Sequence, residues 1–435
     1  MIINLEINIS KEDSEYMYEI IKRIIEECGP RMPCSSQEAQ SAEIIKKELE
    51  KTCDDATIEP FSCNPRAFLG YIKIDIILVL TSFLAFFLIP LNLTNYWGYL
   101  MTFISFFLNL ISFLILWNEF FNYREFIDPL FKSKSSQNVV GRIYPKEEVK
   151  KILIFSGHHD SALEFNLLTR LKLGYPILIL LGMGIMLIWL ITSLIIVLLI
   201  LINLFFYELF IIFILTLFII GIPAFLGLFF FVSFGDKANT VPGAVDNLSA
   251  VAIILAIGRY LSSHKDIVPK NTEIRLISFG CEEAGLRGAF RYVSAHLDEL
   301  KKYDAECVNM DAIQSKNNVS IIDFEPSTRT KHSDVMVKKL NEAAKSAKIK
   351  VSESALGGSG KIEKIIGQIT GGTDATAFSK AGIKALNISA MNLKEMLQFY
   401  HQPTDTIDKI EHGSLEEVLK LCIAYITSTF IDNKQ

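Results

Sequence analysis

The sequence lacks several motifs that mark common enzyme classes. It has no Gly-x-Ser-x-Gly elbow to carry a serine nucleophile and no His-Glu-x-x-His metal motif. A phosphate-binding P-loop and a dinucleotide-binding Gly-x-Gly-x-x-Gly are also missing. These absences argue against the serine hydrolases, nucleotide hydrolases and nucleotide-dependent dehydrogenases that carry such motifs.

The sequence also lacks an excess of positive charge and a closely spaced pair of cysteines. Among 435 residues, 43 Lys and Arg stand against 48 Asp and Glu, a formal net charge of −5. With no stripe of basic and aromatic residues, we expect no nucleic-acid partner. The seven cysteines include no Cys-x-x-Cys pair, and an odd number in a large chain is typical of reduced cytoplasmic thiols. Residues 1–10 lack a basic region and a long apolar stretch, so no cleavable signal is expected.

Residues of the metal-ligand type are present, each within its own short motif. Five such residues are His158, Asp246, Glu283, Asp311 and His401, accompanied by Asp160 and Glu282. A site for two divalent ions needs one carboxylate that bridges them and further ligands for each ion. It also needs an acid outside the ligand shell and a general base, and this set of residues can supply all of these roles. Any one of these residues alone would more often be a surface or turn residue, but together they predict a two-metal site.

Three of these motifs follow segments that are typical of buried strands. Residues 151–155 precede His158, residues 273–279 precede Glu282, and residues 307–310 precede Asp311. Open α/β sheets bind ligands at the carboxyl ends of their strands, so these side chains are expected at one edge of a sheet. The alternation of strands and helices predicts an α/β fold, an α/β/α sandwich with a mostly parallel mixed sheet.

Local spacing suggests what the additional acids do. The i, i+2 spacing of His158 and Asp160 sends both side chains to one side of an extended chain. Asp160 is therefore placed to hold the second ring nitrogen of His158. The adjacent carboxylates of Glu282 and Glu283 project in different directions, so one can bind metal while the other faces a water. Asp246 lies near the start of an apolar helix, where an anion is favoured.

The motif set resembles the M28 family of zinc-dependent metallopeptidases, which includes aminopeptidases and glutamate carboxypeptidases. The resemblance rests on His158-x-Asp160, Asp246-Asn247-Leu248-Ser249-Ala250, Glu282-Glu283-Ala284-Gly285-Leu286-Arg287-Gly288-Ala289, Asp311 and His401. Gly29-Pro30-Arg31 and Gly372-Thr373-Asp374 resemble the N-terminal segment and the Gly-Ser-Asp turn of the family. Ala250 and Ala289 replace the usual Gly and Ser, and these small replacements are expected to preserve activity.

The resemblance implies a peptide substrate, two Zn²⁺ ions and a role for each motif residue. The implied ligands are Asp246 as the bridge, His158 and Asp311 on one ion, and Glu283 and His401 on the other. Glu282 would be the general base, Asp160 would orient His158, and Tyr400 would help to polarise the scissile carbonyl. His159 occupies the spacer position and is not expected to bind metal. A cis peptide is implied between Asp246 and Asn247.

Four long uncharged apolar segments account for the mean hydropathy of +0.33: residues 76–91, 99–117, 177–206 and 209–233. Each is long enough, or nearly so, to cross about 30 Å of hydrocarbon as a helix. Core helices rarely run so far without a polar face, so we expect two transmembrane hairpins. The predicted organisation is peptidase domain at 1–73, 119–175 and 234–435, with hairpins at 74–118 and 176–233.

The topology predicts on which side of the membrane the site lies. Each hairpin crosses twice, so all the site residues share one compartment. The flanks carry Arg66, Lys73, Arg124, Lys132, Lys134, Arg170, Lys172 and Lys237, whereas the tips at 92–98 and 206–208 carry no Lys or Arg. By the positive-inside rule, the protein is a multi-pass protein of the cell membrane whose catalytic domain faces the cytoplasm.

The resulting expectation is a membrane-anchored di-zinc exopeptidase, an aminopeptidase acting through a metal-bridging hydroxide. A carboxypeptidase or dipeptidase, a glutaminyl-cyclase-like enzyme and a non-catalytic membrane scaffold remain as alternatives, and the oligomeric state stays open. Arg275, Arg287 and Arg291 are candidates for a pocket that binds a substrate carboxylate. A transporter is disfavoured because the spans carry essentially no ionisable residue at mid-depth. We also expect a glycine-rich loop at 355–361 and surface positions for His264, His296, His332 and His412.

Overall fold

The computed structural model describes residues 7–89, 96–202, 204, 207–233, 239–352, 371–391 and 393–432. Its chain forms two compact units. The sheet unit comprises Met1–Pro65, Ser133–Glu164 and Phe234–Gln435, and the helical unit comprises Arg66–Lys132 and Phe165–Ser233. The predicted loop at 355–361, Lys237, and residues 92–95 and 206 of the two hairpin tips lie outside the described residues.

The described residues of the sheet unit form nine strands. They are β1 (Asp55–Cys63), β2 (Lys134–Ile143), β3 (Lys151–His158), β4 (Thr272–Phe279), β5 (Glu306–Ile313), β6 (Val319–Ile322), β7 (Phe324–Glu325), β8 (Thr330–Lys331) and β9 (Lys384–Ala390). Seven of them form one sheet in the order β1-β2-β4-β3-β5-β9-β6, and β7 pairs with β8. The neighbours β4, β3, β5 and β9 are parallel, and β1, β2 and β6 pair antiparallel. The predicted mostly parallel mixed sheet is confirmed.

The strand register brings the ends of three parallel strands to one edge. His158, the last residue of β3, pairs with Phe279, the last residue of β4. Ser156 of β3 pairs with Asn309 of β5. His158 and Asp311 each lie two residues beyond that pair, so they come level at the edge where the β4 chain turns into Glu282.

Helices cover both faces of this sheet. Those of the sheet unit are α1 (Lys11–Cys28), α2 (Ser36–Leu49), α8 (Ser249–Ser263), α9 (Arg287–Lys302), α10 (Asp334–Ser346), α11 (Ala375–Lys380), α12 (Leu393–Phe399) and α13 (Ser414–Asp432). Leu153 and Phe155 of β3 contribute to the core beneath α1, α8 and α13, whereas Ile152 and Ile154 contribute to the core beneath α9 and α11. Burial on both faces explains the unbroken apolar run in β3.

The helical unit is built from α3 (Ala67–Phe87), α4 (Tyr96–Glu119), α5 (Asn166–Leu171), α6 (Gly174–Leu201) and α7 (Tyr207–Phe229). Its core includes Phe83 stacked on Trp189 with ring centroids 4.6 Å apart, and the Trp189 indole donates a 2.8 Å hydrogen bond to Ser82 Oγ. Many large apolar side chains on these helices are exposed, such as Ile212. By length and composition, α3, α4, α6, α7 and the segment 244–263 are each able to cross a membrane.

Candidate metal centre

The five predicted ligands converge at the carboxyl-terminal edge of the sheet. Donor atoms of these five residues and of Glu282 form three groups in which all atoms lie within 4.8 Å of one another: His158, Asp246 and Asp311; Asp246, Glu283 and His401; and His158, Glu282 and Glu283. His158 ends β3, Asp311 lies in β5, and Asp246 occupies the turn that leads into α8. The first two groups share Asp246 and otherwise contain different residues.

Asp246 is shared through both of its carboxylate oxygens. Its Oδ1 lies 3.2 Å from Nε2 of His158, and its Oδ2 lies 3.3 Å from Nε2 of His401. His401 Nε2 is also 3.4 Å from Oε1 of Glu283. One carboxylate therefore faces two separate ligand groups, which is the arrangement that a bridging ligand requires.

Glu282 and Asp160 lie directly beside these groups. Glu282 is nearly buried, and its Oε2 is 3.8 Å from Nε2 of His158. The carboxylate of Asp160 accepts hydrogen bonds from the backbone N–H groups of Glu282 at 3.1 Å and Glu283 at 3.0 Å. His158 Nδ1 is 3.5 Å from that carboxylate but only 3.2 Å from the backbone oxygen of Asp160. Asp160 thus contacts the imidazole and also holds the turn that carries both glutamates.

Arg31, which the sequence analysis named only as part of a family-like segment, is a buried arginine that supports the site. The Arg31 guanidinium donates to the backbone oxygens of His159 at 2.8 Å, Pro242 at 2.8 Å, Gly243 at 3.2 Å and Gly29 at 3.0 Å. It therefore ties the segment after His158 to the turn before Asp246. Gly243 has φ +62°, and a Cβ there would approach Asp246 O within 2.6 Å and Arg31 Nη2 within 2.9 Å. Only glycine fits that turn without movement of its neighbours.

Asp405 is a second support that the motifs did not reveal. Its Oδ1 accepts the N–H of Val245 at 2.8 Å, and its Oδ2 accepts the N–H of Asp246 at 3.2 Å. Both bonds orient the backbone at the shared carboxylate. The partners are 160 and 159 residues apart along the chain, so no local pattern indicates the contact.

Three further residues occupy the surroundings of the ligands. The ring of Tyr400 stacks on His401 with centroids 3.9 Å apart. Asp374 is buried, and neither carboxylate oxygen has a hydrogen-bond partner among the described residues. His159 is buried with Nδ1 2.9 Å from Ser278 Oγ, and it belongs to none of the ligand groups found in the described chain. The Asp246–Asn247 peptide is cis, as the resemblance implied.

One histidine outside the site was placed wrongly by the sequence analysis. His332 is buried, with Nε2 3.0 Å from Glu325 Oε1 and Nδ1 2.9 Å from Ser379 Oγ. Glu325 also accepts hydrogen bonds from the N–H of Thr373 at 3.1 Å and from its hydroxyl at 2.6 Å. The surface prediction failed because this pairing depends on a hairpin of two-residue strands. His264 and His412 are exposed as expected, and His296 is partly buried against Glu59.

The electrostatics of the site favour bound cations. Burial raises the pKa values of Glu282 and Glu283 well above their ordinary range, with His158 opposing and neighbouring carboxylates adding to the shift. Burial, and then the charge of Asp246, raises the pKa of Asp311 to about 7. Burial also opposes ionisation of Asp246, but hydrogen bonds to His158 and His401 lower its pKa overall.

These donors fit the implied zinc pair. Carboxylate oxygens and imidazole nitrogens are the ligands that Zn²⁺ accepts, and cations would relieve the repulsion among the buried acids. Glu283 Oε1 is buried and has no hydrogen-bond partner within the described ranges. Burying a carboxylate oxygen in that position is costly unless a cation binds it.

Comparison with known proteins agrees with this geometry. Residues 230–426 match the model of Peptidase family M28. That segment contains Asp246, Glu283, Asp311 and His401, whereas His158 lies upstream of it. A segment of 202 residues is 31% identical to Aminopeptidase YwaD of Bacillus subtilis (strain 168) and covers 44% of this chain and 38% of that protein. The chain thus matches less than half the length of this relative.

Solved structures resemble the whole chain. The zinc aminopeptidase BSAP of Bacillus subtilis superposes with a TM-score of 0.51 at 16% identity, over 96% of this chain and 95% of that one. The glutaminyl cyclase of Fimbriiglobus ruber superposes with a TM-score of 0.53 at 12% identity, over 97% of both chains. The chain has an M28 zinc aminopeptidase-like fold. In this M28-like fold, the five ligand-type residues occupy strand ends and adjoining turns.

Proposed function

We propose that this protein is a membrane-anchored di-zinc exopeptidase, an aminopeptidase that releases N-terminal residues from peptides. The observation that carries the proposal is the Asp246 carboxylate, whose two oxygens lie 3.2 and 3.3 Å from the imidazoles of His158 and His401. Asp246 would bridge the two Zn²⁺ ions. His158 and Asp311 would complete the ligands of one ion, and Glu283 and His401 those of the other.

The chain's own residues would handle the proton and the developing charge. When bound, the two ions supply a water of lowered pKa and polarise the scissile carbonyl. Glu282 would take a proton from this water and deliver it to the leaving amine. Asp160 would hold Glu282 in place through the backbone, and Tyr400 would help to polarise the carbonyl. No covalent enzyme intermediate is required.

Two observations favour an aminopeptidase over a carboxypeptidase. The relative with 31% identity is an aminopeptidase. A carboxypeptidase needs a cation for the substrate carboxylate, but Arg275 is buried and pairs with Glu273 and Glu299, both at 2.7 Å. Arg287 is likewise buried. Arg275 and Arg287 are therefore better explained as structural groups than as a substrate pocket. Arg291, the third candidate, is partly buried and donates a hydrogen bond to the backbone oxygen of Ser62 at 3.3 Å.

Hydrolysis of a substrate panel tests the proposal. Detergent-purified protein is given aminoacyl-p-nitroanilides, free peptides and N-blocked peptides, and its metal content is counted. We expect cleavage of the free-amino substrates alone and both ions bound. Cleavage of blocked peptides from the carboxyl end would make the protein a carboxypeptidase. One ion with cyclisation of N-terminal glutamine would make it a cyclase, and metal-free inert protein would support a scaffold.

The membrane part of the proposal is supported by the helical unit. Its four long helices, α3, α4, α6 and α7, have mean hydropathies of 1.9, 2.2, 3.0 and 2.9 over an 18-residue stretch of each. Basic residues flank them on one side of each hairpin, so we propose that the sheet unit faces the cytoplasm. A cysteine replacing exposed Trp97 should then react with an impermeant maleimide on intact cells. A cysteine replacing exposed Lys345 should react only after permeabilisation, and the reverse pattern would refute this orientation.

A further inference from the structure

A second cluster of ligand-type side chains lies in the sheet unit and consists of thiols alone. The Sγ atoms of Cys34, Cys63 and Cys281 form a nearly equilateral triangle with sides of 3.4, 3.4 and 3.5 Å. The three residues come from the loop between α1 and α2, the last position of β1, and the turn after β4. Cys63 and Cys281 are buried, and Cys34 is partly exposed.

A buried carboxylate accompanies the thiols. Oε1 of Glu38 lies 3.5 Å from Sγ of Cys281. The backbone N–H groups of Cys34 and Cys281 donate to Glu38 at 2.8 and 3.0 Å, and the hydroxyl of Ser136 donates at 2.9 Å. The spacing of Ser35 and Glu38 predicts a capping box, in which Glu38 would accept the N–H of Ser35. Glu38 instead accepts the N–H of Cys34 and thereby reaches the thiol triangle.

The separations between the sulfurs distinguish two kinds of chemistry. Zinc bound tetrahedrally at about 2.3 Å from each sulfur keeps its sulfurs about 3.8 Å apart. The observed triangle needs to open by only a few tenths of an ångström to reach that spacing. A disulfide requires about 2.05 Å, so two of these sulfurs would have to close by more than an ångström. The geometry is therefore nearer to that of a metal site.

We propose that Cys34, Cys63 and Cys281 form a third metal site that binds a thiophilic ion such as Zn²⁺, separate from the carboxylate–imidazole pair. Soft thiolate donors select such ions. The three thiols release their protons on binding, and Glu38 or a water fills the fourth position.

The site would act on the catalytic turn through the chain. Cys281 directly precedes Glu282 and Glu283, whose N–H groups Asp160 already holds. An ion bound to all three sulfurs would link this turn to the α1–α2 loop and to the end of β1. Cys63 is 29 residues from Cys34 and 218 from Cys281 along the chain, so the link would restrain distant segments.

Cobalt absorption tests the proposal on the full chain. Detergent-purified protein is stripped with a chelator, reduced, and titrated with Co²⁺, which shows thiolate-to-metal charge-transfer absorption only when sulfur binds it. Wild-type protein should show this absorption and hold one ion more than Cys63→Ser. The matched control is Cys53→Ser, because Cys53 is a partly exposed cysteine outside the triangle. It should retain both the absorption and the ion count.

Three results would overturn the proposal. They are wild-type protein without charge-transfer absorption, Cys63→Ser with unchanged absorption and ion count, and a disulfide between two of the three cysteines that reforms in place of metal binding. If Cys63→Ser fails to fold by circular dichroism, Cys34→Ala at the partly exposed corner takes its place. Absorption in wild-type protein that cleaves no peptide would support this site while refuting the proposed aminopeptidase, so the two failures are distinguishable.

Discussion

The two units use long apolar helices in opposite ways. The segment 244–263, which contains α8, includes an 18-residue stretch with a mean hydropathy of 1.5, and 94% of that stretch is buried within the protein. The corresponding stretches of α6 and α7 have mean hydropathies of 3.0 and 2.9, but only 44% and 28% of their residues are buried. Length and composition admit all three as membrane spans, and burial separates them. A helix that the sheet already covers has no surface left for lipid, whereas α6 and α7 leave apolar surface that lipid would cover.

The units also differ in how their buried polar groups are arranged. The sheet unit buries acids and imidazoles that converge on one site. The helical unit also buries acids, such as Asp75 and Glu119, but among its described residues none belongs to a group that could hold a metal ion. Its core also contains the hydroxyls of Ser82 and Ser105, 3.1 Å apart, and the Trp189 indole that donates to Ser82 Oγ. We thus expect catalytic activity to depend on the sheet unit and membrane association to depend on the helical unit. Each expectation can be tested separately.

The largest effect is expected from Glu282→Gln. Glutamine keeps the size of the side chain but cannot take a proton, so the peptidase rate should fall by about 10²–10⁴-fold. Membrane association should not change, because the substitution leaves the helical unit intact. Steady-state hydrolysis and membrane fractionation measure the two properties. Glu342→Gln, an exposed site on α10, is the matched control, and an equal loss of rate there would break the assignment.

A pair of isoleucines tests the comparison of helices directly. Ile253 in α8 is 0% exposed and Ile212 in α7 is 74% exposed. Ile253→Ala should lower the free energy of unfolding of the sheet unit by about 2–5 kcal/mol, because it leaves a cavity. Ile212→Ala in detergent should change stability by about 0.5 kcal/mol or less.

The chain offers a separate probe for each unit. All three tryptophans, Trp97, Trp117 and Trp189, lie in the helical unit, so fluorescence reports its unfolding. Alkylation of buried Cys422 in urea reports unfolding of the sheet unit. Ile253→Ala should shift the alkylation midpoint and leave the fluorescence transition in place. A shift of both transitions would show that the two units unfold together.

A smaller effect is expected from Asp405→Asn. The amide can accept only one of the two N–H bonds from Val245 and Asp246 and brings an N–H₂ group against the other. Loss of such support around a ligand typically lowers metal affinity or activity by about 10–100-fold. Competition with a chelator measures the affinity. Asp408→Asn, at an exposed carboxylate three residues on, should leave it unchanged.

Much of the sheet was predictable because its signals are local. The Ile-rich run in β3 and the alternation in β4 mark strands within a few residues of the ends observed. The antiparallel pairing of β1 with β2 was not predictable in the same way. Strand order depends on contacts between segments separated by a whole hairpin, and no residue pattern within either strand encodes them.

The site residues likewise divide into those that local sequence patterns predict and those that depend on long-range contacts. The candidate ligands were found because each lies at the end of a recognisable strand or motif. The sequence analysis gave Arg31 and Asp405 no role. Both residues bind backbone atoms 128 to 212 residues away, and no local residue pattern indicates such a contact. The spacing of Ser35 and Glu38 predicts only a capping box. The contact of Glu38 with Cys281 was not predictable, because the two residues lie 243 positions apart.

Counting metal in two ligand variants tests the central claim most directly. In a Cys63→Ser background, which removes the proposed thiolate site, the chain should bind both ions of the pair. Asp311→Ala should lose one ion, because Asp311 belongs to a single ligand group, whereas Asp246→Ala should lose both, because its carboxylate is shared. Asp246→Ala protein that still binds one ion as tightly as the background would contradict a shared bridging carboxylate.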